Sequence, residues 1–228
     1  MEFLSNGITM ELCEGAFPIS TDSMLLADFV RLRKNARVLD LGSGCGTLGL
    51  LLCARDSGCS VTGLEISTVA HAAAEENIRR NTLEDRLNSI CADLRELPAD
   101  FIGRFHCCVS NPPYFSGGPA SKETPFARRD DCCPPDVLCQ SASKALQYGG
   151  DFFLVHKPEK LAQLIVCGAA AGLEAKNLCL VRHKEGGPIT LILLQMRKGG
   201  KPGLQITERC LFDSLGEPTA YFREVYHI

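Results

Sequence analysis

The sequence contains no tryptophan and only four tyrosines in 228 residues. It also lacks any apolar run approaching the ~20 residues that a membrane-spanning helix requires, so no such helix is expected. Positive charge is not in excess, because 24 Lys and Arg residues face 27 Asp and Glu residues and give a net charge of −3. The overall charge therefore does not indicate a nucleic-acid partner, although a local basic patch could still bind one.

Zinc-type cysteine spacing is also missing. None of the 13 cysteines forms a C-x-x-C pair, and no cluster of His and Cys has the spacing of zinc ligands. Several cysteines, such as Cys53, Cys107 and Cys179, lie inside apolar runs, where a free cysteine behaves as a small buried hydrophobic residue. We therefore expect free thiols in a reducing compartment and no bound metal.

The amino-terminal residues show no targeting pattern, since residues 1–6 include an acid and no basic segment. No signal peptide is expected, and a cytoplasmic location is the default. The hydrophobic content of 45% and charged content of 22% are typical of a globular protein, and no repeat or linker divides the chain. A single domain over residues 1–228 is expected. Its parts are an arm and helix (1–34), a core (36–156) and a carboxyl-terminal part (157–228).

Strand-like and helix-like segments alternate along the chain and predict an α/β protein with an open, mostly parallel sheet. The Gly149-Gly150 pair is expected to end the helix that begins at Pro135. The last two long strands are expected to form an antiparallel hairpin at a sheet edge. A short strand over 204–207 and a helix near 219–226 follow. The seven main predicted strands cover residues 37–41, 60–66, 87–92, 105–109, 151–156, 174–183 and 188–196.

The segment Asn111-Pro112-Pro113-Tyr114 follows an apolar run, residues 105–109, that predicts a buried strand. Two prolines cannot continue a central strand because each lacks a donor N–H, so the chain leaves the sheet at Asn111. Ligands bind at that edge of an open α/β sheet. An amide, two rigid residues and an aromatic ring suit a flat molecule that bears an amino group. A Pro-Pro turn with a buried tyrosine is the plainer alternative.

A glycine-rich turn, Gly42-Ser43-Gly44-Cys45-Gly46, follows the first strand of the core. A strand, a glycine turn and a helix form a nucleotide-binding half-unit, in which glycine permits close approach of the backbone. The G-x-G-x-G spacing departs from the dinucleotide fingerprint, and Asp40 stands two residues before the first glycine. A carboxylate there would repel a pyrophosphate and suits a ligand with an amino group. A plain tight turn is the alternative.

Two further strands are followed by acids. Glu65 ends the second strand, where a carboxylate can accept two hydrogen bonds from a ribose diol, and Asp93 ends the third. With Asp40 and Asn111, polar groups thus end four successive strands and should meet at one edge of the sheet. Thr21, near the start of the first helix, is expected at the mouth of this site.

These ordered motifs, over about residues 36–156, resemble those of class I S-adenosylmethionine-dependent methyltransferases. The flanking segments narrow the resemblance to the bacterial tRNA1(Val) (adenine-37-N6)-methyltransferase family. Those segments are Thr21-Asp22-Ser23-Met24-Leu25-Leu26, Lys157-Pro158-Glu159-Lys160-Leu161, Arg182-His183-Lys184 and Lys198-Gly199-Gly200-Lys201. The resemblance implies a Rossmann-like fold with a seven-stranded, mostly parallel sheet, one antiparallel edge strand and helices on both faces.

The resemblance also implies S-adenosylmethionine as the cofactor and assigns roles to the motif residues. Asn111, Pro112, Pro113 and Tyr114 would be catalytic, the first two accepting the N–H groups of the target amine and the tyrosine stacking on its base. The implied cofactor-binding residues are Thr21, Asp40, Gly42, Ser43, Gly44, Gly46, Glu65, Ile66, Asp93, Leu94 and Asn111.

A nucleic-acid substrate, with tRNA first, is the partner that the resemblance implies, and a monomer is favoured. The long loop over residues 115–134 begins at the site and suits a lid or a substrate-gripping segment. Basic residues that could surround the site and bind RNA are Arg128, Arg129, Lys157, Lys160, Arg182, His183, Lys184, Lys198 and Lys201. Many of these are equally well explained as solvated surface charges.

The motifs specify an amine more closely than the molecule that carries it. Methylation of a ribosomal RNA base, of DNA adenine or of a protein glutamine therefore stays open, although only 39 residues precede Asp40, whereas glutamine methyltransferases usually carry a separate amino-terminal domain. A non-catalytic RNA-binding relic of the fold is another alternative, and the intact motif residues argue against it. The glycine spacing disfavours a nicotinamide dehydrogenase.

Overall fold

The computed structural model describes residues 2–3, 8–10, 20–113 and 133–227. Its helices are α1 (Thr21–Phe29), α2 (Thr47–Arg55), α3 (Thr68–Arg80), α4 (Pro135–Ala145), α5 (Leu161–Ala170) and α6 (Ala220–Tyr226). Its strands are β1 (Glu2–Phe3), β2 (Thr9–Met10), β3 (Arg37–Leu41), β4 (Ser60–Glu65), β5 (Leu87–Cys91), β6 (Phe105–Ser110), β7 (Leu146–His156), β8 (Leu173–Lys184), β9 (Ile189–Lys198) and β10 (Gln205–Phe212).

The described strands form one large sheet of eight strands and a separate two-stranded pair, β1 with β2. The order in the large sheet is β10-β8-β9-β7-β6-β3-β4-β5. Strand β9 is antiparallel to both of its neighbours, β7 and β8, and the other pairings in this sheet are parallel. The mixed α/β sheet that the sequence predicted is therefore present.

Helices cover both faces of the large sheet and divide the core into two clusters. One cluster joins α1, α2, α3 and α6 to one face, with buried residues such as Leu26 and Leu50. The other joins α4 and α5 to the opposite face, with Leu138 and Leu164 fully buried. Burial of this apolar surface is the main force that holds the layers together. The described cysteines carry thiols, and most of them lie in these clusters.

The edge of the sheet differs from the expectation. The sequence predicted seven strands with the antiparallel strand at an edge, whereas β9 lies inside the sheet, between β7 and β8. Residues 191–196 of β9 are buried without interruption, as a strand covered on both faces should be. The predicted short strand 204–207 extends to Phe212 and adds the eighth strand by parallel pairing with β8.

The end of α4 also differs from the expectation. The Gly149-Gly150 pair was expected to end this helix, but α4 ends at Ala145 and both glycines lie inside β7. The pairing of β6 with β7 shifts register here, between Phe105 and Cys107. A β-bulge is a common place for glycine in a strand, which explains why a helix-stop signal occurs within β7.

Candidate active site

The parallel strands β3, β4, β5, β6, β7, β8 and β10 all end at one edge of the sheet, which we name the carboxyl edge. Antiparallel β9 instead begins at this edge and ends at the opposite one. Helix α1 also begins at the carboxyl edge, because the first turn of α1 contacts Asn111, which directly follows β6. Four strands of this edge carry the polar residues that the sequence placed there.

The sheet register brings these polar residues to one face. Asp40 lies opposite Gly63 of β4 and Val109 of β6. Two residues further along those chains are Glu65 and Asn111. Because directly paired residues share a face and side chains alternate along a strand, all three polar side chains belong to the same face. Asp93 is related in the same way to Cys91, the register partner of Glu65.

Asp40 is the deepest of the four polar residues and is only 1% exposed. Neither of its carboxylate oxygens has a hydrogen-bond partner among the described residues, and the same is true of Ser43 Oγ. Burial, with a smaller contribution from the nearby charge of Glu65, raises the pKa of Asp40 to about 8. A buried carboxyl group without a partner is costly, and a cationic ligand beside it would remove that cost.

The glycine loop, residues 42–46, passes over Asp40 in a conformation that favours glycine. Gly42, Gly44 and Gly46 have φ values of +74°, +55° and +87°. The N–H groups of Gly42 and Ser43 donate to the Leu64 carbonyl, at 2.9 and 3.1 Å. A Cβ built on Gly42 or Gly44 would meet nothing within 4 Å, so the loop borders open space where a ligand can approach the backbone.

Glu65 holds the glycine loop in place. Its Oε2 accepts from the N–H of Gly44 at 2.8 Å, and its Oε1 accepts from the N–H of Ser67 at 2.8 Å. A carboxylate has about four acceptor positions, so these two bonds leave room for a ligand diol. The next residue, Ile66, exposes 61% of its surface and provides an apolar face beside the carboxylate.

Asp93 and Leu94 begin the loop that follows β5. Asp93 Oδ1 accepts from the N–H of Arg95 at 2.9 Å and lies 3.6 Å from Arg95 Nε. The Leu94 carbonyl accepts from Ser141 Oγ at 2.7 Å, which ties this loop to α4. Both Asp93 and Leu94 are half-buried, so the loop is fixed by these bonds and still reaches the surface.

Asn111 is held by residues that the sequence did not single out as its partners. Its Nδ2 donates to Ser23 Oγ at 2.9 Å and to Ser20 Oγ at 3.5 Å. Thr21 lies between these serines, and its Oγ1 accepts from Tyr226 Oη at 3.0 Å. The sequence placed Thr21 at the site, but a separation of 88 residues gives no local signal for the contact of Ser23 with Asn111.

The basic residues divide between the two edges of the sheet. Lys157 and Lys184 lie at the ends of β7 and β8, at the carboxyl edge. Arg182 lies there as well, but its guanidinium contacts Glu208 Oε1 and the Gly187 carbonyl.

Lys160 lies shortly after β7, and His183 is the next-to-last residue of β8, so both are also near the carboxyl edge. Lys198 and Lys201 lie at the opposite edge, because β9 runs antiparallel to its neighbours, so the expectation that they surround the site is wrong.

Three of the expected site residues, Tyr114, Arg128 and Arg129, fall outside the described residues, as does most of the expected loop 115–134. Pro112 is buried and Pro113 half-buried directly after Asn111. Within the described ranges, no group of three or more His, Cys, Asp or Glu side chains is arranged to hold a metal ion. No helix among those residues is long and apolar enough to cross a bilayer.

Comparison with known proteins assigns this arrangement to a family. Residues 18–169 match the family model described as the methyltransferase small domain. A tRNA1(Val) (adenine(37)-N6)-methyltransferase of Photobacterium profundum is 30% identical over 213 residues, which cover 90% of this chain and 87% of that protein. One of Dickeya chrysanthemi is 31% identical over 196 residues, covering 82% and 75%.

Solved structures agree on the fold. A crystal structure described as a predicted O-methyltransferase from Agrobacterium tumefaciens has a TM-score of 0.76 and 20% identity to this chain. The match covers 91% of this chain and 96% of that one. At this level of identity the likeness shows the shared class I methyltransferase fold alone.

Proposed function

This chain belongs to the methyltransferase small domain family, and we propose that it transfers a methyl group from S-adenosylmethionine to N6 of an adenine in tRNA. One observation carries the proposal: the partnerless carboxyl group of Asp40, under an open glycine loop, lies on the same sheet face and edge as Asn111. Asp40 and the glycine loop would hold the amine-bearing cofactor, and Asn111 would hold the amine-bearing substrate beside it.

The residues of the carboxyl edge fit S-adenosylmethionine, the cofactor of this enzyme, which supplies an activated methyl group when it is bound. Asp40 would face the ammonium of the methionine moiety, directly or through water. The open space at Gly42 and Gly44 would receive that moiety against the backbone. The unused acceptor positions of Glu65 suit the ribose hydroxyls, and the exposed Ile66 suits one face of the adenine.

Asp93, Leu94 and Ser43 complete the proposed cofactor site. Asp93 would accept a hydrogen bond from the adenine amino group, and the Leu94 N–H would donate to a ring nitrogen. Ser43 and Gly46 shape the loop, since the N–H of Gly46 donates to the Ser43 carbonyl at 3.0 Å. Thr21 stays a weaker candidate for direct contact with the cofactor, because its hydroxyl accepts from Tyr226.

Asn111 and Pro112 would orient the target amine. An exocyclic amine on an aromatic ring is a poor nucleophile because its lone pair is delocalised into the ring. The Asn111 Oδ1 and the Pro112 carbonyl can each accept one N–H, and two acceptors off the ring plane favour a pyramidal nitrogen. Pro113 restricts the backbone that carries them. Catalysis then consists mainly of orientation and polar preorganisation, with Tyr114 proposed to stack on the base.

The relatives named tRNA1(Val) (adenine(37)-N6)-methyltransferase support tRNA as the substrate. An adenine in folded RNA must leave its stack to reach such a pocket. Lys157 and Lys184, at the carboxyl edge, are the described candidates for phosphate contacts, with Arg182 second because it is paired with Glu208. Arg128 and Arg129 remain candidates from the sequence.

The test is methylation with labelled S-adenosylmethionine and, in separate reactions, total tRNA, ribosomal RNA, DNA or a peptide-release factor. We expect label in N6-methyladenosine from tRNA alone. The Asn111→Ala variant should lose this activity while cofactor affinity, measured by calorimetry, stays within a few fold of wild type, because Asn111 contacts the amine. If the label appeared only in the protein or in DNA, that molecule would be the substrate instead of tRNA. Near wild-type turnover by the variant would contradict the amine-binding role.

A further inference from the structure

We propose that Ser23 is a positioning residue that fixes the side-chain amide of Asn111, so that its oxygen faces the target amine. The inference rests on the proposed function, in which Asn111 accepts an N–H of the substrate. An amide group has a donor end and an acceptor end of nearly the same size. Only one of its two orientations presents the oxygen, and the other would oppose a donor to a donor.

Ser20, Ser23 and Asn111 form a small group of hydrogen bonds at the first turn of α1. Ser20 is the N-cap of α1, and its Oγ accepts from the N–H of Ser23 at 3.2 Å. The Ser20 and Ser23 hydroxyls are hydrogen-bonded to each other at 3.3 Å. Ser23 Oγ also accepts from Asn111 Nδ2 at 2.9 Å. Ser23 is 5% exposed, so water competes little for these bonds and loss of the serine acceptor is felt fully.

Helix α1 provides a fixed base for Ser23. Met24, Leu25 and Leu26 follow it and are buried in the core cluster that α1 shares with α2 and α6. At the first residue of the helix, Tyr226 Oη donates to Thr21 Oγ1 at 3.0 Å, which joins α6 to the same turn. The turn that carries Ser20 and Ser23 is therefore anchored on both sides, and the nitrogen of the Asn111 amide is bound to that turn.

The Ser23→Ala variant removes the acceptor and keeps the helix. Alanine is the best helix former, so α1 should persist. We expect kcat for tRNA methylation to fall roughly tenfold, since an unpositioned amide spends part of its time in the wrong orientation. The KM for tRNA and the Kd for S-adenosylmethionine should stay near wild type. The Ser23→Thr variant keeps the hydroxyl and should restore most of kcat.

A matched control is Ser143→Ala. Ser143 lies in α4 and donates from its Oγ to the Ala171 carbonyl at 2.7 Å, so this variant also removes one internal hydroxyl from a helix. We expect its kcat to equal that of wild type. An unchanged kcat in Ser23→Ala, or an equal fall in Ser143→Ala, would overturn the positioning role.

A second readout needs no turnover and separates this inference from the proposed function. With asparagine labelled by ¹⁵N, the side-chain NH₂ signal of Asn111 is identified by its absence in Asn111→Ala. The signal should shift and exchange faster with solvent in Ser23→Ala and stay unchanged in Ser143→Ala.

If the wild-type protein methylates no tRNA, the proposed function fails, and the NH₂ signal alone decides whether Ser23 holds the amide. An unchanged signal in Ser23→Ala would overturn the inference. Should that variant not fold, Ser20→Gly removes the second acceptor at little capping cost and must shift the same signal.

Discussion

At Asp40, burial and charge are in conflict. It is 1% exposed, has no partner among the described residues, and has a pKa raised to about 8. In the unfolded chain this carboxyl group ionises near its ordinary pKa of 3.8. Between these two values the folded protein binds one proton more than the unfolded chain, so Asp40 makes the protein less stable as the pH rises.

Asp40→Asn should remove this dependence while keeping the shape of the side chain. We expect the difference in free energy of unfolding, variant minus wild type, to increase from pH 5 to pH 8, by up to ~1.4 kcal/mol per pH unit. Urea midpoints of both proteins at pH 5, 6, 7 and 8 measure it.

At pH 7, saturating S-adenosylmethionine should stabilise wild type more than the variant, because an ammonium beside Asp40 favours the carboxylate. Parallel pH curves of the two proteins would show that Asp40 ionises freely in the folded state.

The sequence correctly placed Asp40, Glu65, Asp93 and Asn111 at one edge of the sheet. The end of a strand can be read from the local sequence, and parallel strands end at the same edge. It could not indicate Ser23 or Tyr226, whose contacts span 88 and 205 residues. A serine at the start of a helix is explained by capping alone. Only the contact of Asn111, which follows β6, with the first turn of α1 shows that the hydroxyl of Ser23 also accepts from an amide.

At the scale of elements, the glycine loop combines two properties that a matched pair of variants can separate. Gly42 has φ +74° and borders open space. Gly172, which follows α5, has φ +75° and equally open surroundings, and it lies at the opposite edge of the sheet from Gly42. Both positions carry the same backbone strain for alanine, and Gly42 alone borders the proposed cofactor site.

Gly42→Ala and Gly172→Ala should therefore lose similar stability, about 1–2 kcal/mol each in urea unfolding. We expect only Gly42→Ala to weaken S-adenosylmethionine binding in calorimetry, by roughly tenfold or more, because the new methyl group occupies space that the cofactor needs. Equal affinities in the two variants would mean that the cofactor does not approach the loop at Gly42.

The placement of β9 shows where element prediction failed and why. A hairpin of two long strands can add to a sheet by either strand, and turn residues do not decide which. The decisive property is burial, since residues 191–196 of β9 are buried on both faces, whereas β8 has only scattered buried residues between half-buried and exposed ones. The continuous apolar run of β9 was the signal for an interior strand, and a prediction based on it would have placed β9 inside the sheet.

At the scale of the whole molecule, strand direction decides which charges can meet a substrate at the site. Because β9 is antiparallel, it carries Lys198 away from the carboxyl edge, where Lys198 Nζ donates to the carbonyls of Ser143 and Leu146. Lys157 and Lys184 lie at the ends of β7 and β8, at the carboxyl edge. A net charge of −3 is therefore compatible with two lysines at the edge that carries the site. Single-domain organisation and a monomeric state stay predictions.

Charge reversal at the two edges tests this division. Lys184→Glu, at the carboxyl edge, should weaken tRNA binding and reduce the slope of log affinity against log salt by roughly 1, as expected for the loss of one phosphate contact. Lys201→Glu changes the net charge equally but lies at the opposite edge, so its affinity and slope should match wild type. Both lysines are exposed, so neither substitution should unfold the protein. A difference between the two variants therefore reports on tRNA binding.

Lys184 is a better choice than Arg182 for this measurement, because Arg182→Glu would also break the contact with Glu208 and place two acids together. Filter binding or fluorescence anisotropy with purified tRNA at 50 to 200 mM salt, a range in which about one phosphate contact is resolvable, gives the slopes. A smaller slope for both lysine variants would mean that tRNA senses overall charge. An unchanged slope for both would remove the end of β8 from the RNA-binding surface and leave Lys157 and the segment after Asn111 to provide it.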